Sequence, residues 1–171
     1  MQNVLPLIYP ETANRFNGVN VNSLCDAEQK SLVHLALEVL ELQHQRGKAL
    51  TSPELMRDYL RLNLGDRKNE VFGAVYLDNK HRIIRNEELF KGSVNSASVY
   101  PRVVAQKALE YNSTAILLYH NHPSGDPEPS IADQTITKRL VDSLEMIDVR
   151  VLDHLVVGSL GSVSFAERGL I

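Results

Sequence analysis

From His120 to Asp133, fourteen consecutive residues bring two histidines together with an aspartate able to join them on a metal ion and a serine hydroxyl three residues before it: His120-Asn-His122, then Pro-Ser-Gly-Asp-Pro-Glu-Pro, then Ser130-Ile-Ala-Asp133. The apolar run Thr114 to Tyr119 leads into them. In a strand, side chains two apart project from the same face, so His120 and His122 would present both imidazoles to one point. A loop with three prolines follows, and Ser130 stands where a helix can begin. Asp133 then falls in the first helical turn, able to point back at the histidines. Two imidazoles and one carboxylate leave a coordination position open to water, the pattern of a catalytic rather than a structural zinc. Zinc in such a setting brings the pKa of a bound water from its bulk value to roughly 7.

Each of these residues has a plainer reading. Ser130-x-x-Asp133 is also close to a helix-capping box, in which the two side chains only satisfy free amides. An isolated H-x-H at a strand end is commonly a pair of hydrogen-bonded imidazoles. Asp126 and Glu128 lie in the intervening loop and offer alternative oxygen ligands, off the helix-start spacing. His154, beside Asp153 in another apolar run, reads as a core or supporting histidine rather than a ligand. The deaminase pattern H-x-E with P-C-x-x-C is excluded, because Cys25 is the only cysteine. The same fact excludes an internal disulfide and a cysteine-rich zinc knot.

The elements that must position these groups follow from periodicity. Roughly the first 22 residues mix Pro6, Pro10, Gly18 and several Asn without a period, as an arm or loop does. Asp26 to Arg46 reads as a helix with Leu32, Leu35, Ala36, Val39 and Leu42 on one face, and Gly47 stops it. Val33, Leu37 and Leu40 are apolar as well, so the helix should be covered on more than one side, by the domain or by a second copy in a homodimer. Ser52-Pro53 caps and starts a second helix with Leu55, Tyr59 and Leu62 inward. Glu70 to Leu77 and Arg82 to Leu89 form an antiparallel hairpin around Asp78-Asn79-Lys80. Pro101 to Asn112 is a helix, Ala115 to Tyr119 a buried strand, and Ser130 to about Ile147 a longer helix with Ile136, Leu140 and Leu144 inward. Arg150 to Val157 and a stretch near Val163 are strands. Helices alternating with strands around one sheet give an α/β (α+β) layered domain.

At 171 residues, one well-buried core is the natural expectation, divided here as an N-terminal arm and helix over 1–47 and a domain over 48–171. No apolar run is long enough for a bilayer and no secretory signal opens the chain, which predicts a cytoplasmic protein without membrane contact. The formal charge of −3 disfavours a globally basic nucleic-acid surface, leaving a local patch of Arg82, Arg85 and Lys91 as the candidate.

The spacing of H-x-H, seven residues, then S-x-x-D resembles the JAMM motif of the MPN-type (MPN+) metalloproteases. Pro101-Arg102, HNHPSGDP at 120–127 and DHLVVG at 153–158 resemble more narrowly the JAB-type domain of RadC-like proteins. The resemblance covers roughly Ser52 to the C-terminus. It implies the MPN fold, a mixed sheet flanked by helices and similar in layout to the cytidine-deaminase-like sandwich. It also implies one zinc held by His120, His122 and Asp133, with Glu70 as general acid and base and Ser130 as a supporting donor toward the charged carbonyl oxygen. Full-length RadC-like proteins carry a further N-terminal helical region, which this chain is too short to hold. The activity implied is hydrolysis of a peptide or isopeptide bond in a peptide or protein substrate. The alternatives are a non-catalytic metal-containing binding module tied to DNA repair or mobile elements, and a hydrolase of another amide.

Overall fold

The computed structural model describes residues 18–43, 46–47, 49–50, 53–92 and 98–171. Most of the expected N-terminal arm and the Ser52 cap lie outside these residues. Two compact units divide the chain, Met1–Leu35 and Ala36–Ile171. In the first, Asn20 caps a 3-10 turn, Val21–Ser23, by accepting from the Asn22 amide at 3.0 Å. Glu28 then accepts from the Cys25 amide at 2.8 Å as helix α1, Asp26–Gln43, begins.

The second unit is built on a five-stranded sheet. Its strands are β1 (Val71–Leu77), β2 (Ile83–Lys91), β3 (Ala115–Asn121), β4 (Arg150–Gly158) and β5 (Gly161–Ser164), in the order β2-β1-β3-β4-β5. All neighbours pair antiparallel except β3 and β4. A parallel pair needs a long crossover, and helix α4, Ile131–Glu145, supplies it. The β1–β2 turn is closed by Asp78, which accepts from the amides of Lys80 and Arg82 at 2.8 and 2.9 Å.

Both faces of the sheet are covered, which is why β1 and β3 are apolar at nearly every position rather than at alternate ones. Val71, Val75, Leu77, Leu117, Tyr119, Leu155 and Val157 face α2 (Pro53–Leu64). Phe72, Ala74, Tyr76, Ile116 and Leu118 face α4 and α3, Pro101–Glu110. The inward stripe of α4 is Thr137, Leu140 and Leu144, all essentially inaccessible, with Ile136 at its edge.

One expected helix face is corrected, and another is resolved in part. In α2, Leu62 is exposed while Met56, Leu60 and Leu64 join Tyr59 in the core, with Leu55 partly buried. In the part of α1 that belongs to this unit, Leu37 and Leu40 pack on the core, whereas Val39 and Leu42 are exposed. In α1, apolar residues all round let a 3.6-residue period fit more than one stripe, whereas in α2 the apolar arc is one-sided, opposite Glu54, Arg57, Asp58 and Arg61, but wider than the buried stripe, so the neighbouring surface chooses which edge is covered. The basic patch is also largely compensated, Arg82 pairing with Asp78 at 2.7 Å and Lys91 with Glu88 at 3.1 Å. Among the described residues, no helix is long and apolar enough to cross a membrane.

Candidate metal centre

His120 lies on the α4 face of β3, and His122 stands just beyond the strand's last residue, Asn121. Across the loop, Ser130 has the extended backbone of a helix cap, with φ −73° and ψ 166°. Its Oγ accepts from the Asp133 amide at 3.1 Å, and its own amide donates to Asp133 Oδ2 at 2.7 Å. The capping box is therefore present, and it does not compete with a metal role. It fixes the carboxylate so that Oδ1 lies 3.4 Å from His120 Nε2 and Oδ2 lies 3.4 Å from His122 Nε2. The two Nε2 atoms are 3.0 Å apart. Among the described residues, this trio is the group of His, Cys and carboxylate side chains able to hold an ion.

The donor set fits zinc. Ligands about 2.0–2.1 Å from a tetrahedral ion lie roughly 3.3 Å from one another, close to the separations found here. His122 Nδ1 donates to the Asp126 carbonyl at 2.9 Å, which leaves the lone pair of a neutral His122 on Nε2. The electrostatics favour a cation at this point. Burial opposes ionisation of Asp133, but His120, His122 and Ser130 outweigh it and hold the carboxyl well below its usual range. Asp133 in turn raises the pKa of His122 against the opposing effect of burial, with smaller help from the Asp126 carbonyl and from Glu70. The attraction that favours a proton there favours a metal ion too.

The other loop acids are occupied elsewhere. Asp126 accepts from the Glu128 amide at 3.0 Å, and Glu128 pairs with Arg168 at 2.7 Å. The loop itself is seated on β4, where the Gly125 carbonyl accepts from Leu160 at 3.0 Å and lies directly against Gly158. A Cβ at Gly158 would meet this carbonyl, a backbone atom with no rotamer to yield. Gly158→Ala should therefore lift the loop, loosen the Asp126–His122 hydrogen bond, and cost about 1–3 kcal/mol. Thermal melting and a zinc titration of the variant check this. For Ser130→Ala, loss of the cap should cost about 1 kcal/mol, and zinc should bind more weakly because Asp133 loses both its hydroxyl donor at 2.6 Å and its anchored rotamer. A chelator competition on the variant measures the second effect.

Glu70 comes from a distant part of the chain. It immediately precedes β1, which begins one residue later than expected, and its carbonyl accepts from Gly92 at 2.8 Å. Phe72 pairs with His120 at the last position of the β1–β3 register, with Glu70 two residues before the one and His122 two residues after the other, and the charge of Glu70 is near enough to help raise the pKa of His122. Asn121 secures this approach, a role its sequence position did not reveal. Its Oδ1 accepts from the Val71 amide at 2.7 Å and its Nδ2 donates to the Asn69 carbonyl at 3.2 Å, gripping the backbone on both sides of Glu70. The available signal was a fully buried amide within an otherwise apolar strand.

His154 is a supporting residue, as expected, and is completely buried. Its Nε2 lies 2.8 Å from His120 Nδ1 and its Nδ1 lies 2.6 Å from Thr137 Oγ1. Burial pushes its pKa well down, and charge on His120 would push the same way. Thr137, unmarked in the sequence, sits one helical turn after Asp133 and donates to that residue's carbonyl at 2.6 Å.

A mixed sheet with helices on both faces and a two-histidine, one-carboxylate cluster at the β3–α4 junction define a JAB-type domain. The model of the RadC-like JAB domain matches residues 50–170, and the chain belongs to that family. It is 50% identical over 143 residues to a UPF0758 protein of Vibrio cholerae, covering 84% of this chain and 90% of that one. A UPF0758 protein of Aeromonas hydrophila is 52% identical over 84% of this chain and 64% of its own length. One from Tolumonas auensis is 57% identical over 73% of this chain, but only 56% of its own length is matched.

Proposed function

We propose that this chain is a zinc-dependent hydrolase of peptide or isopeptide bonds. The observation that carries the reading is that the β1–β3 pairing ends at Phe72 and His120, bringing Glu70 to the cluster's end of the sheet, where its charge favours positive charge on His122. A metal cluster alone would suit a binding module, whereas a carboxylate next to it but outside the ligand set adds a proton carrier.

His120 Nε2, His122 Nε2 and Asp133 would hold the ion. When bound, zinc supplies Lewis acidity that makes water acidic enough to act as a nucleophile near neutral pH and that polarises a carbonyl. Glu70 accepts the proton released as water attacks the amide carbon. It then delivers that proton to the departing nitrogen, so that the C–N bond breaks to give a neutral amine and a carboxylic acid. Asn121 holds the Glu70 backbone in place for both transfers. Ser130, whose single proton is directed to Asp133 Oδ2 at 2.6 Å, acts through the ligand it orients.

The test is a panel of peptide and isopeptide substrates offered to the zinc-loaded protein, with Glu70→Gln as the paired blank. Turnover by the wild type that disappears in the variant is expected. Zinc retained by both proteins, no amide cleaved by either, and an unchanged cellular phenotype for Glu70→Gln would replace the enzyme with a metal-containing binding module.

A further inference from the structure

A chain of three hydrogen bonds runs from the cluster into the core, and the direction of each can be worked out. A carbonyl oxygen only accepts, so Thr137 Oγ1 donates its single proton to the Asp133 carbonyl at 2.6 Å. Toward His154 Nδ1, 2.6 Å away, the same hydroxyl can then only accept, which places a proton on His154 Nδ1. His154 is fully buried, and its two ring nitrogens meet a hydroxyl and an imidazole rather than a carboxylate. A neutral ring is the form such a place accepts. Its Nε2 is therefore an acceptor, and His120 Nδ1 must be the donor across 2.8 Å. His120 is left with its lone pair on Nε2, the atom 3.4 Å from Asp133 Oδ1.

We infer that Thr137 and His154 form a buried relay that fixes His120 in the Nδ1–H tautomer and so keeps its Nε2 ready for the metal ion. The inference rests on the zinc reading above and deepens it by assigning two positioning residues. The relay begins on the backbone of Asp133 and ends at the ring of His120, so one helix turn sets both the place of the oxygen ligand and the protonation pattern of a nitrogen ligand. The His154 ring cannot readily swing out of line, being stacked on Phe165 at 4.8 Å and met edge-on by Phe72 at 5.4 Å. A neutral acceptor behind His120 also adds no negative charge to the centre, unlike the carboxylates that often back metal-binding histidines.

The test combines 15N NMR of the imidazoles in the metal-free protein with zinc competition against a chromophoric chelator. His120 in the wild type should show the Nδ1–H signature. Thr137→Val keeps the shape but removes the hydroxyl, and should lose that signature and bind zinc about 10–100-fold more weakly. Thr137→Ser should restore both, and His154→Phe should resemble Thr137→Val. An Nε2–H signature for His120 in the wild type would overturn the relay, a result that needs no variant to fold. So would a Thr137→Val protein that keeps the Nδ1–H signature and binds zinc within about twofold of wild type, or a Thr137→Ser protein as impaired as Thr137→Val. If the wild type takes up no zinc yet shows Nδ1–H, and Thr137→Val abolishes that signature, the relay is upheld and the zinc reading alone falls.

Discussion

Glu70→Gln should lower amide hydrolysis by about a hundredfold to ten-thousandfold, the range expected when a positioned general acid–base group is removed. Glutamine preserves the size and shape of the side chain but cannot carry the proton from water to the leaving amine. The backbone contacts that place residue 70, from Gly92 to its carbonyl and from Asn121 to its neighbours, do not involve the side chain and should persist. The loss should appear in kcat with little change in KM, because the group acts in the transition state rather than in substrate binding. On the proposed reading, metal content should stay at one zinc per chain, since the three groups able to hold it come from β3, its end and α4. Steady-state kinetics with an amide substrate, alongside metal analysis of the same preparation, separate these outcomes. A variant that loses zinc along with activity would mean that Glu70 is a ligand and not the proton carrier.

Asp133→Ala should have the opposite signature, with the metal lost. It removes the only oxygen donor of the trio and the negative charge that attracts a cation, so zinc affinity should fall by more than about a hundredfold, beyond the range for supporting residues. It also removes half of the capping box of α4, adding a modest loss of helix stability. Zinc at a hundred times its dissociation constant should stabilise the wild type by about 2.7 kcal/mol, and the variant should show no such gain. Melting curves with and without zinc, with Asp133→Asn as a control that keeps side-chain volume but removes charge, decide the point. A variant whose melting temperature still rises with zinc would move the oxygen ligand to another residue.

The candidate metal-binding trio was legible because the place of each member follows from local rules. His120 and His122 share a face through strand periodicity, and Asp133 is placed by the helix start that Ser130 marks. Glu70 was legible only through family resemblance, since nothing local distinguishes it from any acid before a strand. The role proposed for it depends on the β1–β3 register, which joins segments 50 residues apart. Thr137 and Asn121 went unseen for a related reason. Each looks like an ordinary polar residue until a partner from another element arrives to give its hydrogen bonds direction. The strands and helices were found close to their true limits, but the buried face of α2 was only partly found, because Leu62 and Leu64 lie at opposite edges of one wide apolar arc and only the second is buried.

The parallel pairing of β3 with β4 through α4 bears on how the centre is assembled as the chain folds. His120, His122 and Asp133 belong to one strand–loop–helix segment, so joining them closes only a short loop, whereas recruiting Glu70 closes a far longer one at greater entropic cost. The three groups of the cluster can thus come together through one local segment, whereas Glu70 reaches the same end of the sheet only through the pairing of β1 with β3.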